Sequence, residues 1–321
     1  MNAVPRPIVL DVDTGIDDAL ALLYAVAHPD LDLRGVSCVA GNASLDQVVD
    51  NTLRVLDAAG APHLPVARGA TKPLIERARP EDRFHGQDGL GGVQLPPTSR
   101  SVVGQTATEM LRAQVIRSEE PVTLVSLAPM TNVAMLLTLH PEVSDHLGRI
   151  IFMGGSASAG NVTAVAEFNV WQDPEAATCV VESGLGVSMY GLDVFDRLLI
   201  PRQVADRWAR SSHPAVRLAG ELLHRRGSRA AGLEQDYVGV LGDAGALVLL
   251  TDPALFTTSA SPVRVNLQGI GRGQTVVDRR PLAQDQSDRD GDPWSVLEVA
   301  LDLDVEAAAT AFVDVIDRYA C

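Results

Sequence analysis

Four aspartates, Asp11, Asp13, Asp17 and Asp18, lie within eight consecutive positions in the segment "IVLDVDTGIDDALA". The segment begins with an apolar run typical of a buried strand and passes through Gly15 into a helical pattern. Crowded carboxylates repel one another and raise one another's pKa unless a positive charge neutralises them. A bound cation, the N-terminal end of a helix, or catalytic use of the shifted pKa would each explain such crowding.

The N-terminal end of a helix explains only part of the pattern. Asp17 and Asp18 fall in the first turn of the predicted helix, where the helix dipole stabilises carboxylates. Asp11 and Asp13 lie in or beside the predicted strand, where an unpaired buried charge costs several kcal/mol. A cation site explains all four side chains. Because the nearby ligands are oxygens, with no His or Cys among them, the ion is expected to be hard, Ca²⁺ or Mg²⁺.

Further polar groups lie at other predicted element ends. "LGDAGALVLL" places Asp243 at the start of a buried helix, as either an N-cap or a metal ligand. Asn42 in "VAGN" follows another strand. Asn161, Glu167 and Asn169 fall in "GGSASAGNVTAVAEFNVWQDPEAA", which has small residues and no clear period. Their oxygens and amides suit a polyhydroxyl ligand, although asparagines also support loop turns.

The elements that must position these residues alternate along the first half of the chain. The predicted strands are "PIVLDV", "LRGVSCVAGN", "PVTLVSLAP", "RIIFMGG" and "GVSMYGLDV". The predicted helices are "DDALALLYAVAHP", "LDQVVDNTLRVLDAAG", "MTNVAMLLTLHP" and "DPEAATCVVES". This alternation predicts an α/β, Rossmann-like fold with a mostly parallel central sheet and helices on both faces. Ligands of such sheets bind at the carboxyl ends of the strands, where the polar groups lie.

The remaining segments favour a single domain over 1–321, because no repeat or clean linker divides them. Segment 66–105 is rich in Gly and Pro and is expected to be a functional loop or lid. Segment 201–235 is expected to be helical and is rich in Arg. A strand-like "WSVLEVALD" and a final helix, "VEAAATAFVDVIDRY", end the chain. The acidic "DQSDRDGDP" departs from the EF-hand pattern and favours a solvated hairpin turn.

Composition limits the classes of partner. The formal net charge is −15, which argues against nucleic acid or an anionic membrane, since both need a basic surface. No apolar run is long enough for a transmembrane helix and the N-terminus lacks a signal peptide, so a cytoplasmic protein is expected. The three cysteines are far apart and are expected to be two buried thiols and a free C-terminal one.

The motifs also occur in a characteristic order. "DVDTGIDDALAL" is followed by "AGN", "HGQDGL", "APMTNVA", "MGG" and "GNVTAVAEFNVWQDPEAA". In this order and spacing, the chain resembles the inosine–uridine-type nucleoside hydrolase family over nearly its whole length. Each motif alone is weak, but the ordered set is highly specific. The resemblance implies an enzyme that hydrolyses the N-glycosidic bond of ribonucleosides to free base and ribose.

The resemblance also implies a metal and its ligands. Asp13, Asp18 and Asp243 would bind Ca²⁺ with their side chains, joined by the backbone carbonyl of Leu127. A calcium-bound water would be the nucleophile, with Asp13 as its general base. The cation lowers the pKa of its water, and the acids favour the oxocarbenium-like transition state of glycoside hydrolysis.

The family pattern assigns the substrate contacts as well. Asp17 and Asn42 would bind the ribose 2′- and 3′-hydroxyls, and Met153 would line the sugar pocket. The 5′ side of the nucleoside would be held by Asn161, Glu167 and Asn169. Family members commonly form dimers or tetramers, so a homodimer or homotetramer is expected.

One position departs from the family pattern. Many members carry a histidine before the last aspartate that protonates the departing base, and this chain has Gly242 there. His85 in "FHGQDGL" matches another base-pocket position and is the candidate for that role, although a lone loop histidine can also be incidental. The departure motivates a second hypothesis, a nucleoside-binding protein that has lost catalysis. A haloacid-dehalogenase-type phosphatase is a third, because "DVDTG" is similar to its nucleophile motif.

Overall fold

The computed structural model describes residues 4–79, 85–227, 237–280 and 294–320. In this part of the chain, eleven strands form a nine-stranded sheet and a separate two-stranded sheet. The strands are β1 (Arg6–Val12), β2 (Leu31–Cys38), β3 (Val66–Arg68), β4 (Val122–Ser126), β5 (Leu147–Met153), β6 (Val187–Tyr190), β7 (Leu199–Pro201), β8 (Tyr237–Val240), β9 (Phe256–Val265), β10 (Thr275–Val277) and β11 (Ser295–Leu303).

The large sheet has the order β10-β9-β11-β6-β5-β4-β1-β2-β3. Seven neighbouring strands, from β11 to β3, pair in parallel, and β9 and β10 are added antiparallel at one edge. From β1 the chain proceeds to β2 and β3 on one side, and then to β4 and β5 on the other. The strand order therefore switches between β1 and β4. In open α/β sheets, such a switch opens a crevice for ligands beyond the carboxyl ends of the strands.

Helices cover both faces of this sheet. They are α1 (Ile16–Ala27), α2 (Leu45–Ala58), α3 (Ala107–Ile116), α4 (Thr131–Leu139), α5 (Phe168–Gln172), α6 (Pro174–Val181), α7 (Leu192–Phe195), α8 (Arg202–Ala209), α9 (Pro214–Gly227), α10 (Ala244–Thr251) and α11 (Val305–Asp317). One core contains residues of α1, α2, α9, α10 and α11, and a second core contains residues of α3, α4 and α6. The predicted α/β class, with a mostly parallel sheet between helical layers, is confirmed.

Strand β1 lies at the centre because its sequence suits burial on both faces. Ile8, Leu10 and Val12 point into one core and Val9 into the other, following the two-residue period of a strand. Apolar residues on both faces are typical of a central parallel strand. Asp11 is the exception, a fully buried charge within this strand.

Some local expectations were wrong. In "GVSMYGLDV", β6 ends at Tyr190 and the helical turn α7 begins at Leu192. Between them lies Gly191, the N-cap of α7, which packs closely against Gly155: a Cβ there would lie 2.9 Å from the Gly155 carbonyl oxygen. Cys179, expected to be buried, is exposed, because it lies on the solvent side of α6.

The secondary structure of other segments agrees with the expectations as far as it is described. Beyond β3, the described part of segment 66–105 has no helix or strand. Segment 201–235 contains α8 and α9 up to residue 227. The rest of that segment, and the acidic stretch 285–293, lie outside the described residues. Among the described helices, none is both long and apolar enough to cross a membrane.

Candidate active site

The turn between β1 and α1 gathers the carboxylates. Gly15 is the N-cap of α1, and the Asp18 side chain accepts hydrogen bonds from the backbone N–H of Gly15 (2.9 Å) and of Asp13 (3.2 Å). Both Asp18 oxygens are therefore fixed by the turn that they help to form. These hydrogen bonds give Asp18 a structural role at the N-terminus of α1, as the sequence suggests. They do not explain Asp11, Asp13 or Asp17.

Asn42, just after β2, holds Asp13 in place. Its backbone N–H donates to Oδ2 of Asp13 (2.7 Å), and its side-chain amide donates to Oδ1 of Asp13 (3.1 Å) and Oδ2 of Asp18 (3.3 Å). At the neighbouring Gly41, a Cβ would lie 2.0 Å from Oδ2 of Asp13, so this position has no room for a side chain. The carboxyl ends of β1 and β2 thus form one connected polar surface.

Three carboxylates could hold a metal ion. One oxygen each of Asp17, Asp18 and Asp243 lies within 4.8 Å of the other two, and all three residues are buried. Asp243 immediately precedes α10 but makes no side-chain capping hydrogen bond, which argues against a purely capping role. Sequence analysis expected Asp13, Asp18 and Asp243 as the side-chain ligands. The cluster in the structure contains Asp17, Asp18 and Asp243 and does not include Asp13, whose carboxylate accepts hydrogen bonds from Asn42.

The electrostatics of the cluster favour a cation. Burial, and then the charge of Asp17, raises the pKa of Asp18 to about 7. Burial, and then the charge of Asp18, raises the pKa of Asp13 well above its usual range. Burial also raises the pKa of Asp11 to about 7, although hydrogen bonds from Ser37 and Asn132 oppose this. A positive charge nearby would lower these raised pKa values and favour the ionised carboxylates. Because the donors are all oxygen atoms, they suit a hard ion.

The carboxyl ends of β4 and β5 approach the same place. The side-chain amide of Asn169 donates to the backbone carbonyls of Leu127 (3.0 Å) and Met153 (3.1 Å) and lies 3.3 Å from Sδ of Met153. Asn169 therefore joins the two strand ends. The same amide orients the Leu127 carbonyl that the family resemblance assigns to the ion.

Glu167 and Asn161 organise the short helix α5. Glu167 is its N-cap, and its carboxylate accepts from the backbone N–H of Asn169, Val170 and Gly155 at 2.9 to 3.2 Å. Burial raises the pKa of Glu167 to about 7 in spite of these three donors. Asn161 accepts from the backbone N–H of Phe168 (3.0 Å). This helix was missed in the sequence because five residues are too few to show a period and glutamate is not a typical N-cap residue.

A small cavity of about 100 Å³ collects most of the expected residues. It is lined by Asp17, Asn42, His85, Leu127, Met153, Asn161, Glu167, Asn169 and Asp243. Asp13 and Asp18 are almost completely buried and reach the cavity through their contacts with Asn42. Phe168, Phe195 and Asp196 also line it, and sequence analysis did not propose them. Phe195 and Asp196 follow β6 through α7, so the strand-end rule that found Asn42 would have found them.

His85 belongs to the site. Its Nδ1 accepts the backbone N–H of Ile16 (3.2 Å) and lies 3.5 Å from Oδ1 of Asp17. Because Nδ1 accepts a hydrogen bond, a neutral ring carries its proton on Nε2. His85 is also nearly buried, which disfavours an incidental loop histidine.

Trp208 does not line the cavity. It is buried between helices and its indole N–H donates to Asp317 (2.7 Å). Among the residues that line the cavity, Phe168 and Phe195 are the aromatic ones.

Comparisons with known proteins assign the chain. The family model "Inosine-uridine preferring nucleoside hydrolase" matches residues 8–310, and the chain belongs to this family. The chain is therefore an N-glycosidase, and the hypothesis of a haloacid-dehalogenase-type phosphatase is excluded. The family binds a metal, and the cluster of Asp17, Asp18 and Asp243 could hold one.

Individual relatives cover nearly all of the chain. The pyrimidine-specific ribonucleoside hydrolase RihA of Escherichia coli O81 (strain ED1a) is 40% identical over 274 residues, which are 85% of this chain and 88% of RihA. The plant nucleoside hydrolase PpNRh1 has a TM-score of 0.90 at 27% identity, covering 97% of this chain and 99% of its own. The purine-preferring ribonucleoside hydrolase from Gardnerella vaginalis has a TM-score of 0.88 at 30% identity, covering 98% and 99%.

Proposed function

We propose that the chain hydrolyses the N-glycosidic bond of ribonucleosides in a Ca²⁺-dependent reaction. The observation that carries this proposal is the cluster of Asp17, Asp18 and Asp243, whose oxygens lie within 4.8 Å of one another at the switch point of a nucleoside hydrolase fold. Carboxylate and carbonyl oxygens at the ends of several strands match the irregular oxygen coordination that Ca²⁺ accepts. The absence of nitrogen and sulfur from this donor set disfavours a transition metal.

The ion would be held by the side chains of Asp13, Asp18 and Asp243 and by the Leu127 carbonyl. A hard cation bound there supplies positive charge that lowers the pKa of water and orients it. Asp13 then takes the proton of the attacking water. Asn42 supports this role because two of its N–H groups fix both oxygens of the Asp13 carboxylate.

The cavity residues would bind the ribose. Asp17 and Asn42 would contact the 2′- and 3′-hydroxyls, and Met153 would line the sugar. On the 5′ side the contacts would come from Asn161, Glu167 and Asn169. Since the Asn169 amide group already donates to two carbonyls, its Oδ1 is the atom that would accept a substrate hydroxyl. The surrounding carboxylates stabilise the positive charge that develops on the sugar.

His85 would act on the leaving base. Its Nδ1 is engaged by the Ile16 N–H, so Nε2 is the atom that would donate a proton to the base.

One relative is named pyrimidine-specific and another purine-preferring, so both kinds of nucleobase are candidates for the leaving group. A single domain, a homodimer or homotetramer and a cytoplasmic location remain predictions. Limited proteolysis, light scattering coupled to size exclusion, and cell fractionation would test them in turn.

The proposed function is tested by measuring reducing sugar released from a panel of purine and pyrimidine nucleosides, with added Ca²⁺ and with a chelator. We expect Ca²⁺-dependent release from at least one nucleoside and its loss in Asp13→Ala. Asp304→Ala is the control, because it also removes a carboxylate, but one that caps α11 and does not line the cavity. Saturable nucleoside binding with no release from any substrate would instead support the catalytically impaired binding protein.

A further inference from the structure

Gly242 approaches Asp17 more closely than any side chain would allow. A Cβ placed on Gly242 would lie 2.5 Å from Cβ, 2.7 Å from Oδ2 and 3.0 Å from Cγ of Asp17. The φ angle of Gly242 is +73°, in the left-handed region that favours glycine. Two separate features, the backbone conformation and the contact with a site carboxylate, therefore require glycine here.

Neither partner of this contact can easily move away. The backbone N–H of Leu241 donates to the Leu198 carbonyl (2.8 Å), and Gly242 accepts from the N–H of Gly245 (3.0 Å) as α10 begins. Helix α10 is buried along its first seven residues, and Asp17 is buried in the first turn of α1. The closest atom is Cβ of Asp17, so rotation of the Asp17 side chain cannot relieve the contact. A side chain at position 242 would therefore shift the first turn of α1 and carry the Asp17 carboxylate with it.

We propose that Gly242 is a positioning residue for Asp17. The bare backbone at position 242 acts as one wall against the Asp17 side chain and keeps its carboxylate beside those of Asp18 and Asp243. The consequence for the metal and ribose contacts rests on the proposed function. The close contact itself does not depend on it.

This proposal gives the departure at position 242 a physical meaning. Placing histidine there would not simply add an acid for the leaving base, because its Cβ would collide with Asp17. We therefore expect Gly242→His to lower kcat/KM. In this chain, leaving-group protonation would have to come from another residue, and His85, whose Nδ1 lies 3.5 Å from Oδ1 of Asp17, is the candidate.

The test compares Gly242→Ala with Gly184→Ala. Gly184 has nearly the same φ, +75°, but a Cβ there would meet nothing within 4 Å. Both substitutions carry the same backbone strain, and only the first meets Asp17. Calorimetric titration with Ca²⁺ should show an affinity about 10- to 100-fold lower for Gly242→Ala, the usual effect of disturbing a residue beside the metal ligands. One Asp17 oxygen lies within 4.8 Å of oxygens of the proposed ligands Asp18 and Asp243. Gly184→Ala should bind Ca²⁺ like the unsubstituted protein.

A second pair of variants isolates the contact with Asp17. Asp17→Gly removes the three atoms nearest to the added Cβ. Adding Gly242→Ala to Asp17→Gly should therefore change neither Ca²⁺ affinity nor the melting temperature beyond the change caused by Gly184→Ala. This pair also remains informative if Gly242→Ala alone does not fold. A crystal structure of Gly242→Ala should show the Asp17 carboxylate displaced.

The outcomes separate this inference from the proposed function. Equal Ca²⁺ affinity in Gly242→Ala and Gly184→Ala would overturn the inference, as would an equal effect of Gly242→Ala with and without the Asp17 side chain. If the unsubstituted protein neither binds Ca²⁺ nor releases ribose, the proposed function fails. The melting temperatures of the Asp17→Gly pair would then still decide whether Gly242 acts through Asp17.

Discussion

Replacing Asp11 by asparagine should stabilise the metal-free protein, and the gain should grow with pH. Asp11 is fully buried in β1, and its Oδ1 accepts hydrogen bonds from Ser37 (2.6 Å) and Asn132 (2.8 Å). Its Oδ2 is buried and has no hydrogen-bond partner in the part of the chain that is described. An asparagine of the same shape keeps its Oδ1 for both donors and removes the charge.

The magnitude follows from the shifted pKa. Burial raises the pKa of Asp11 from its usual 3.8 to about 7. At low pH, Asp11 is protonated in both the folded and the unfolded chain. As the pH rises, Asp11 of the unfolded chain loses its proton first, so ionisation favours unfolding. The cost begins near pH 4 and is complete above pH 7, where about three pKa units correspond to about 4 kcal/mol. At pH 5 the same relation gives about 2 kcal/mol.

The assay is urea unfolding in the presence of a chelator, followed by tryptophan fluorescence at pH 5 and pH 8. The free energy of unfolding of Asp11→Asn should exceed that of the unsubstituted protein by about 2 kcal/mol more at pH 8 than at pH 5. Taking the difference between two pH values cancels any constant effect of the amide on packing. Asp302→Asn is the control, because the hydrogen bond from Arg197 lowers the pKa of this exposed carboxyl, which is ionised at both pH values.

A gain that is equal at pH 5 and pH 8 would refute this reasoning, since it would mean that Asp11 is ionised in the folded protein at both pH values. A gain that disappears when Ca²⁺ replaces the chelator would agree with it. The cation would then supply the positive charge that stabilises the ionised carboxylates.

Three further predictions follow from single side chains. Glu167→Gln should lower the free energy of unfolding by about 1–3 kcal/mol in urea titrations, because every orientation of the amide turns its NH₂ toward a backbone N–H. Trp208→Phe should lower the melting temperature in calorimetry but leave kcat/KM unchanged, because its indole lies outside the site. In a Cys321→Ser background, a thiol reagent should modify exposed Cys179 in the native protein and reach Cys38 only after unfolding, because burial raises the pKa of the Cys38 thiol to about 12.

The sequence predicted the central sheet because the strands that form it have a simple pattern. Strand β1 is apolar on both faces, and its end is marked by Asp13 and Gly15. Since parallel strands end at one edge of the sheet, the acids after β1 and Asn42 after β2 were expected to meet, and they do. The roles of these residues remain predictions.

What the sequence missed depends on contacts between distant segments. Between β6 and the turn α7 that leads to Asp196, the backbone of Gly191 packs closely against the Gly155 carbonyl, and nothing in the sequence shows this approach. The reason for glycine at position 242 lies on α1, more than two hundred positions away, and no local pattern reports it. Local rules found residues at strand ends but did not find the close approaches that orient them.

The crowding of acids after β1 has a cost that explains how the site is built. Burial raises the pKa of Asp11, Asp13 and Asp18, so the metal-free fold loses stability as these three groups ionise. The chain opposes this with a small number of fixed donors, such as the Asn42 amide and the Gly15 N–H. These donors orient the carboxylates without neutralising them. Under the proposed function, a bound hard cation would stabilise the ionised carboxylates, and their negative charge would in turn stabilise a cationic sugar. The same cluster of acids would then serve both metal binding and stabilisation of the transition state.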